Sequence, residues 1–422
     1  MTNVEPTHVK DHNIDAKALD ANALKVVETL RDNHFDAYLV GGCVRDLLRG
    51  VKPKDFDVAT NATPEQVKGL FRRSRLVGRR FPIAHVRFGR EIIEVSTFRQ
   101  GQIDQVETNA QGLIVKDRAF GSMAEDAFRR DFTMNALYYC PETESVIDYV
   151  GGMEDARDGH LRFIGEPEER LAEDPVRMLR AIRFAAKLGL ALDERLQALM
   201  EDTAERLEAI PSARLFDEFL KMFLSGYGAA AWAILKETPL VRSLFPSCNP
   251  DNPLVATAMA NTDARIAAEQ PVTPGFLIAV LLWDDYAKRT ERDNPKGKPG
   301  LSFEIAMDTL AVQQQHIAIP RRFAIFAREV WALQPRLEDR HQRHIHRLLG
   351  HKRFRAGFDF LTLRSQSEQS LAERARWWHD IQEQDEAGQN KMIEQLGRGK
   401  GRNRRRRRPA HANMQPNFDL DR

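Results

Sequence analysis

Residues 39–58 read LVGGCVRDLLRGVKPKDFDV, and this stretch decides the fold. The apolar run that ends at Val40 predicts a strand, and the glycines at positions 41 and 42 let the backbone approach a ligand closely. A helix over 43–48 would present its N-terminal amides to that ligand, an arrangement that binds phosphate. Arg45 is placed to add a charge-assisted contact to the same phosphate. The stretch therefore predicts a phosphate-binding turn between a strand and a helix.

A pair of carboxylates follows this turn at once. Asp55 and Asp57 are two residues apart in the next predicted strand, so both face one side while Phe56 faces the core. Two adjacent acids repel each other unless a cation lies between them, and hard oxygen ligands suit Mg²⁺. A glycine pair or an Asp-x-Asp pattern alone is usually only a turn or a solvated strand. Their adjacency is what predicts a nucleotide and metal site.

Two further acids belong to the same candidate site. Glu94 is in an otherwise apolar strand over 91–97, where an unpaired carboxylate is costly, so it is a candidate to complete the metal site. Asp131 lies in the segment RRDFTMN, among arginines that would keep it ionised. It is either a member of the catalytic set or one half of a structural salt bridge.

The texture of the chain changes near residue 168. Before it, short strand-length runs alternate with glycine-rich turns. Residues 1–20 are expected to be unstructured, and residues 100–120 are expected to form a mobile loop. After it, helical periodicity continues to about residue 392. One helix starts at Glu173-Asp174-Pro175, with Asp174 as N-cap, and places Arg177, Arg180 and Arg183 on one face. The other predicted helices cover 21–30, 212–223 with Ser212 as a cap, 256–269, 276–289, 303–315, 321–333, 339–349, 354–363 and 368–384.

Composition excludes several classes of protein. The 422 residues are 42% hydrophobic and 29% charged, which is typical of a soluble globular protein. The apolar run 276–283 is far shorter than the roughly 20 residues needed to span a bilayer. Three widely spaced cysteines (Cys43, Cys140, Cys248) cannot form a disulfide framework, which favours the cytoplasm.

The formal charge of +2 conceals a strongly basic C-terminal segment. Residues 398–408 contain eight basic side chains and no acid, so the rest of the chain has 55 basic against 61 acidic residues, a charge of −6. A basic segment of this kind usually binds nucleic acid or an anionic surface. The run of five arginines is the predicted RNA contact: Arg404, Arg405, Arg406, Arg407 and Arg408.

The motifs LVGGCVRDLLRG, KDFDVATNATPEQV, EIIEVSTFR, EDAFRRDFTMNAL, DYVGGMEDARDG and EDPVRMLRAIRFAAKLG together resemble the bacterial poly(A) polymerases. These enzymes form part of the tRNA nucleotidyltransferase/poly(A) polymerase family in the DNA polymerase β superfamily. The resemblance runs collinearly from about residue 38 to 226. It implies an α+β fold, with a small mixed-sheet nucleotidyltransferase head followed by an elongated all-α neck, body and RNA-binding region and a disordered basic tail.

The same resemblance implies roles for individual residues. Asp55, Asp57 and Asp131 match the catalytic acids, and Glu94 joins the first two as a metal ligand. Gly151 and Gly152 match a hinge between head and neck. The implied nucleotide-binding residues are Gly41, Gly42, Arg45, Arg129, Arg130, Asn135, Glu173, Asp174, Arg177 and Arg180.

The implied activity is template-independent addition of AMP from ATP to RNA 3′ ends by two Mg²⁺ ions, with RNA decay as its role. Its substrates would be mRNA, tRNA and small RNAs. The protein is expected to be a monomer, and RNA-decay proteins are its expected partners.

A CCA-adding tRNA nucleotidyltransferase is the alternative in the same family, and a catalytically silent RNA-binding protein is the alternative from another class. The segments GRRFPIAHV and HKRFRAGFDFLTLRS resemble the poly(A) enzymes. The predicted divisions are 1–33 (extension), 34–150 (head), 151–226 (neck), 227–333 (body), 334–392 (RNA-binding) and 393–422 (tail).

Overall fold

A computed structural model of the chain describes residues 4–78, 82–100, 106–108, 114–117 and 120–405. The chain forms two compact units. Unit 1 contains residues 1–246 and 315–318, and unit 2 contains residues 247–314 and 319–422. Among the described residues, no helix is long and apolar enough to cross a membrane.

Unit 1 is built on an eight-stranded mixed sheet with the order β1-β10-β9-β2-β3-β6-β5-β4. The strands β3 and β6 pair in parallel, and the other neighbours pair antiparallel. A separate hairpin contains β7 and β8. The strands are β1 (Thr7–Val9), β2 (Ala37–Val40), β3 (Asp57–Thr60), β4 (Ser74–Val77), β5 (Ile83–Phe88), β6 (Glu91–Thr97), β7 (Val106–Thr108), β8 (Ile114–Asp117), β9 (Leu137–Cys140) and β10 (Ser145–Asp148).

Two segments expected to lack structure contain strands. The N-terminal residues Thr7 to Val9 pair antiparallel with β10, so the expectation for residues 1–20 is wrong there. Within 100–120, β7 and β8 pair with each other rather than forming only a loop. Both segments are short and polar, and in both cases the stabilising main-chain bonds come from a strand that local periodicity does not reveal.

Helices cover the sheet and continue unit 1 beyond it. Ser212 is the first residue of its helix, and Pro211 rather than Ser212 occupies the cap position without a side-chain bond. Pro175, rather than the expected Asp174, likewise occupies the N-cap position of its helix. The helices are α1 (Ala21–Asp32), α2 (Gly42–Leu48), α3 (Pro64–Leu70), α4 (Met123–Arg129), α5 (Gly152–Asp158), α6 (Pro167–Glu173), α7 (Val176–Leu188), α8 (Glu194–Thr203), α9 (Ser212–Phe223), α10 (Gly228–Leu235) and α11 (Leu240–Leu244).

The described residues from Pro253 to Arg405 form helices and the turns between them, with no strand. The predicted helix over 276–289 is two helices, because the chain turns at Leu282. The helices are α12 (Pro253–Ala267), α13 (Pro274–Leu281), α14 (Trp283–Asp293), α15 (Pro299–His316), α16 (Arg321–Asp339), α17 (Ile345–Leu349), α18 (Phe354–Ser367), α19 (Ala372–Gln382) and α20 (Glu386–Arg405).

Helix α16 passes through Pro335 and ends at Asp339, so the predicted end at residue 333 is wrong. The predicted boundary between body and RNA-binding region therefore falls inside a continuous helix. The helix predicted over 339–349 starts later than expected, as a 3-10 turn over Gln342–His344 that leads into the helix Ile345–Leu349. A proline inside a helix costs about 3 kcal/mol. Burial of Leu333 and Leu337 on either side of it, at 2% and 0% exposure, offsets this cost.

The tail predicted from residue 393 is helical as far as Arg405 in α20. Met392, Ile393 and Leu396 recur at helical spacing and pack against a core cluster of unit 2. That cluster contains Trp378, which is fully buried and donates its indole N–H to the Leu337 carbonyl at 2.8 Å. Packing against this cluster explains why the helix extends into a region rich in glycine and arginine.

The joint between the sheet and α5 is tightly packed. Gly151 has a left-handed backbone with φ of 77°, which favours glycine. Both carboxylate oxygens of Asp148 accept main-chain N–H bonds from the turn, including those of Gly152 at 3.1 Å and Met153 at 2.9 Å. A Cβ on Gly152 would overlap the Thr133 carbonyl oxygen. The glycine pair predicted to be a hinge is thus held against the segment that carries Asp131.

Replacing Gly152 with alanine should therefore destabilise unit 1. The added methyl group displaces the Thr133 carbonyl, and overpacking of this kind costs about 1–3 kcal/mol. Thermal unfolding of the purified variants measures the effect. Gly69→Ala is the matched control, because a Cβ at Gly69, in α3, would meet nothing within 4 Å. Equal melting temperatures for the two variants would contradict the close packing at Gly152.

Candidate active site

The register of the sheet brings the candidate acids into one row. Val40 pairs with Asp57, Asp57 with Glu94, and Glu94 with His85, across the strands β2, β3, β6 and β5. Residues that pair directly in a sheet point to the same face. The phosphate turn at Gly41 directly follows Val40, so the turn and the carboxylates lie at the same end of the sheet.

Asp57 carries the clearest sign of a cation site. Burial raises the pKa of its carboxyl, the negative charges of Glu94 and Asp55 raise it further, and Arg130 offsets part of this, leaving a value of about 6. Asp55 is exposed and lies two residues before the start of β3 instead of within it. In the described part of the chain, neither carboxylate forms an ion pair with a basic side chain. The pair is thus a strained anionic site that a cation would relieve.

These residues fit Mg²⁺ bound together with a nucleotide. Among the described residues, no three acids, histidines or cysteines are grouped closely enough to hold a metal ion by themselves. Mg²⁺ usually takes one or two carboxylates and completes its shell with water and substrate phosphates. Asp55 and Asp57 supply that number of carboxylates next to the Gly41 turn.

Glu94 differs from its prediction. Its side chain is 49% exposed, and its Oε1 lies 3.3 Å from Nε2 of His85. The carboxylate is therefore neither buried nor without a partner, and the reason first given for a metal role at this position is wrong. The alternation of the strand places Glu94 on the open face and Ile93 in the core, at 1% exposure.

The glycine turn is flanked by Arg130. Gly41 has φ of 77°, and a Cβ there would lie 3.4 Å from Nη1 of Arg130. The guanidinium of Arg130 donates to the Asp126 carboxylate at 2.9 Å and to the Asn135 carbonyl at 3.3 Å. It also lies over the ring of Tyr138, 5.4 Å from its centroid. Arg130 is thus fixed between the turn and the charge of Asp57.

Arg45 does not reach towards an open phosphate site. Its side chain is 1% exposed, donates to Asp46 at 2.6 Å and 2.9 Å, and donates to the Asn135 side-chain oxygen at 2.5 Å. The other carboxylate oxygen of Asp46 lies 3.3 Å from Lys187. Arg45 thus orients Asn135 in the structure, and its contact with a phosphate stays a prediction.

Asp131 is the centre of a buried hydrogen-bond network. It accepts from Arg180 at 2.5 Å and 2.8 Å, from the Phe132 amide at 2.8 Å and from Asn135 at 3.3 Å. Burial alone would raise the pKa of this carboxyl, but the charge of Arg180 and these hydrogen bonds lower it to about 2. The salt-bridge interpretation of Asp131 is therefore the arrangement in the structure.

Two of the predicted nucleotide-binding residues, Glu173 and Asp174, are held by partners of opposite charge. Glu173 accepts from Arg170 at 2.9 Å and from Arg177 at 2.8 Å, and the Asp174 carboxylate accepts both terminal nitrogens of Arg214 at 2.9 Å and 2.5 Å. Bidentate pairs of this kind fix the orientation of both groups. Arg129 contributes its main-chain carbonyl, which accepts from Arg170 at 2.7 Å.

Sequence reasoning missed the acids and arginines that hold these groups. Glu218, on α9, is 4% exposed and lies 3.3 Å from Arg183, 4.0 Å from Arg180 and 3.2 Å from Lys221. Arg214 is on the same helix, one turn earlier. Arg214, Glu218 and Lys221 recur at helical spacing in α9, and this recurrence was the available signal.

The predicted RNA contacts lie far along the chain. Arg404 and Arg405 are the last two residues of α20, and Arg406, Arg407 and Arg408 lie outside the described residues.

The geometry defines a class of protein. A small mixed sheet carries paired carboxylates beside a glycine turn, and helices follow it. Among solved structures, a tRNA-processing enzyme in apo form shares this fold with a TM-score of 0.60, at 21% identity over 89% of this chain and 99% of that one. A CCA-adding enzyme in complex with ATP has a TM-score of 0.56, at 21% identity over 78% of this chain and 74% of that one. These two likenesses show the fold, and relatives at 41–44% identity over more than 90% of the chain show that it is a nucleotidyltransferase.

Family models and curated relatives are more specific. The Poly A polymerase head domain matches residues 37–162, the Probable RNA and SrmB- binding site of polymerase A matches 189–251, and the Polymerase A arginine-rich C-terminus matches 298–412. Poly(A) polymerase I of Escherichia coli O157:H7 is 44% identical over 92% of this chain and 88% of its own length. Poly(A) polymerase I of Haemophilus influenzae is 41% identical over 91% of this chain and 89% of its own length. The chain belongs to the bacterial poly(A) polymerase family, as its motifs predicted.

Proposed function

We propose that this protein adds AMP from ATP, without a template, to the 3′ ends of RNA. The observation that carries the proposal is the Asp55 and Asp57 pair, which is beside the Gly41 turn and has no cation partner among the described side chains. A carboxylate pair that forms no ion pair with a described basic side chain, next to a glycine turn, suits a metal-bound triphosphate. The cytoplasm is its proposed location, and mRNA turnover its proposed role.

The residues of the chain supply binding and orientation. Asp55 and Asp57 would hold Mg²⁺, and Asp57 is the better placed of the two because its carboxyl is partly desolvated. Bound Mg²⁺ supplies positive charge for the triphosphate and lowers the pKa of the RNA 3′-hydroxyl. Arg130 stands beside the turn and is fixed by Asp126, so it can contact phosphate without reorganising. Pyrophosphate leaves as the 3′-oxygen bonds to the α-phosphorus of ATP.

Base selection is proposed for the start of α7. The carboxylates of Glu173 and Asp174 are oriented by Arg177 and Arg214, and both remain partly exposed, at 30% and 18% of the side chain. Fixed polar groups that stay accessible can accept hydrogen bonds from a base edge, and a site that hydrogen-bonds its substrate rejects analogues strongly. This supports selection of ATP by the protein alone.

CCA addition is the second candidate. The curated CCA-adding enzyme of Lactobacillus helveticus is 37% identical, but over only 52% of this chain and 53% of its own length. Poly(A) polymerase I relatives match almost the whole chain, including the helical second half.

One assay separates the candidates. The purified protein is given Mg²⁺ and a single-stranded RNA oligonucleotide that is unrelated to tRNA, with ATP or CTP. Long extension with ATP and none with CTP is expected. Limited addition of both nucleotides, restricted to tRNA ends, would assign the chain to CCA addition, and no incorporation at all would leave an RNA-binding protein.

The basic C-terminal segment is proposed to hold RNA by charge. Deleting residues 398–422 should weaken RNA binding and reduce the slope of log affinity against log salt by several units, since each phosphate contact contributes about 0.7 for single strands. Fluorescence anisotropy with labelled RNA measures both quantities. The turnover of ATP on saturating RNA should stay near that of the full chain. An unchanged salt slope would instead mean that the segment only improves solubility.

A further inference from the structure

The sheet of unit 1 has an open half on the face that carries Asp57. The row of paired residues continues from Asp57 through Glu94 and His85 to Arg75 on the edge strand β4. With strands about 4.8 Å apart, Arg75 is about 14 Å from Asp57 along this row. Arg87 lies on β5 two residues beyond His85, and therefore on the same face.

The other half of this face is covered. Ala59, which shares the face with Asp57, belongs to a buried cluster that includes Ala127 of α4 and Tyr138. On the open half, by contrast, Arg75 and Arg87 are exposed, and Val77 and Ile92 are 37% and 39% exposed. The alternate residues of the same strands, such as Ile93 and Val86, are buried at 1% and 2%. The exposure is thus a property of one face rather than of frayed strands.

The open half is positively charged. In the described part of the chain, neither Arg75 nor Arg87 pairs with a carboxylate, and the Arg87 side chain donates to the Gly89 carbonyl at 2.9 Å. Glu94, the acid on this face, is beside His85.

We propose that this face is where the 3′-terminal segment of the RNA substrate lies, with Arg75 and Arg87 on its phosphates and Ile92 and Val77 under its sugars and bases. The inference rests on the proposed function and adds the place of the RNA to it. Unpaired guanidinium groups next to exposed apolar side chains suit single-stranded RNA, which presents both phosphates and unstacked bases. The RNA strand would then lead directly to the carboxylate pair.

The test measures RNA binding separately from catalysis. A short fluorescein-labelled single-stranded RNA is titrated with the full chain in chelator and without ATP, over a series of salt concentrations. For Arg75→Ala combined with Arg87→Ala, we expect Kd to rise about tenfold at low salt and the salt slope to fall by one to two units. The single variant Arg87→Lys, which keeps Arg75, should have nearly the salt slope of the unaltered chain, because lysine keeps the positive charge. Both sites are exposed, so the melting temperature should match that of the unaltered chain.

Arg292→Ala is the matched control. This exposed arginine of unit 2 pairs with Asp293, so its removal should leave Kd and slope unchanged. In the transfer assay, the double variant should show a raised KM for RNA and an unchanged KM for ATP. An unchanged Kd and slope would overturn the proposal, and so would a raised KM for ATP with unchanged RNA binding, which would assign the face to the triphosphate. If the unaltered chain binds RNA through these arginines but transfers no AMP, the proposed function fails and this inference stands.

Discussion

Asp57→Asn should abolish AMP transfer and at the same time stabilise the metal-free protein. Loss of a group that acts in the chemical step typically costs about a thousandfold or more in kcat. The carboxyl of Asp57 has a pKa raised to about 6, because it is buried near Glu94 and Asp55. Its ionised form therefore opposes folding. Asparagine has a similar shape and no charge, so it removes that repulsion.

The pH dependence has a definite sign. An acid whose pKa is higher in the folded than in the unfolded state binds more protons when folded, so its contribution to stability falls as pH rises from about 4 to 6. Above pH 6, Asp57→Asn should gain up to about 3 kcal/mol in the free energy of unfolding, at 1.36 kcal/mol for each pKa unit. Thermal unfolding in chelator at pH 5 and pH 8 measures this gain, which should be larger at pH 8.

Two comparisons make the result specific. Adding Mg²⁺ with a nucleotide should raise the melting temperature of the unaltered chain more than that of the variant, because only the former keeps the full carboxylate pair. Glu91→Gln is the matched control, since it removes an exposed acid from the same sheet outside the row of Asp57. Near-normal AMP transfer by the purified Asp57→Asn variant would exclude the metal assignment.

Arg180→Ala should be the most destabilising single change at the junction between sheet and neck helices. The substitution leaves the buried carboxylate of Asp131 without its positively charged partner, and it removes one of the basic side chains near Glu218. Breaking a buried ion pair from one side typically costs about 3–5 kcal/mol. Hydrogen exchange of the peptides of unit 1 in increasing urea would locate the loss at the Asp131 segment and at α7.

Acid should reproduce part of this loss in the unaltered chain. Asp131 has a pKa lowered to about 2, so its contribution to stability is present above the unfolded value near 4 and is lost as pH falls towards 2. The variant should lack this acid-sensitive contribution. Arg195→Ala is the control, because that exposed arginine pairs with Glu166 and Glu168 at the surface and should change stability little. Equal effects for the two substitutions would show that the Asp131 network does not stabilise unit 1.

Much of the catalytic half was predictable because its signals are local. The strand, the glycine turn and the Asp55–Asp57 pair are contiguous, and alternation along a strand fixes which side chains share a face. The helical second half followed from periodicity, although its boundaries did not. Pro335 is a helix breaker by any local rule, and only the burial of Leu333 and Leu337 keeps α16 continuous there.

Pairing between distant residues was not predictable in the same way. Arg45 looked like a phosphate ligand because nothing in its neighbourhood reveals that Asn135, ninety positions away, takes its Nη1. Glu94 looked buried because its strand is apolar, whereas the sheet leaves its side of that strand open. Burial and partner choice depend on which segments pack together, which a single strand or helix pattern does not contain.

The sequence by itself determined the class of fold, the family and the Asp55 and Asp57 pair, since motif spacing and strand alternation are short-range properties. The tertiary structure decided which charges are neutralised and which remain open. In the folded chain, Asp131 pairs with Arg180, Asp174 pairs with Arg214, and Arg45 donates to Asn135. Among the described residues, four charged side chains have no partner of opposite charge: Asp55, Asp57, Arg75 and Arg87. The physical reason is that ion pairs form between residues brought together from distant segments, and the groups that folding leaves unpaired are those available to a metal, a nucleotide and RNA.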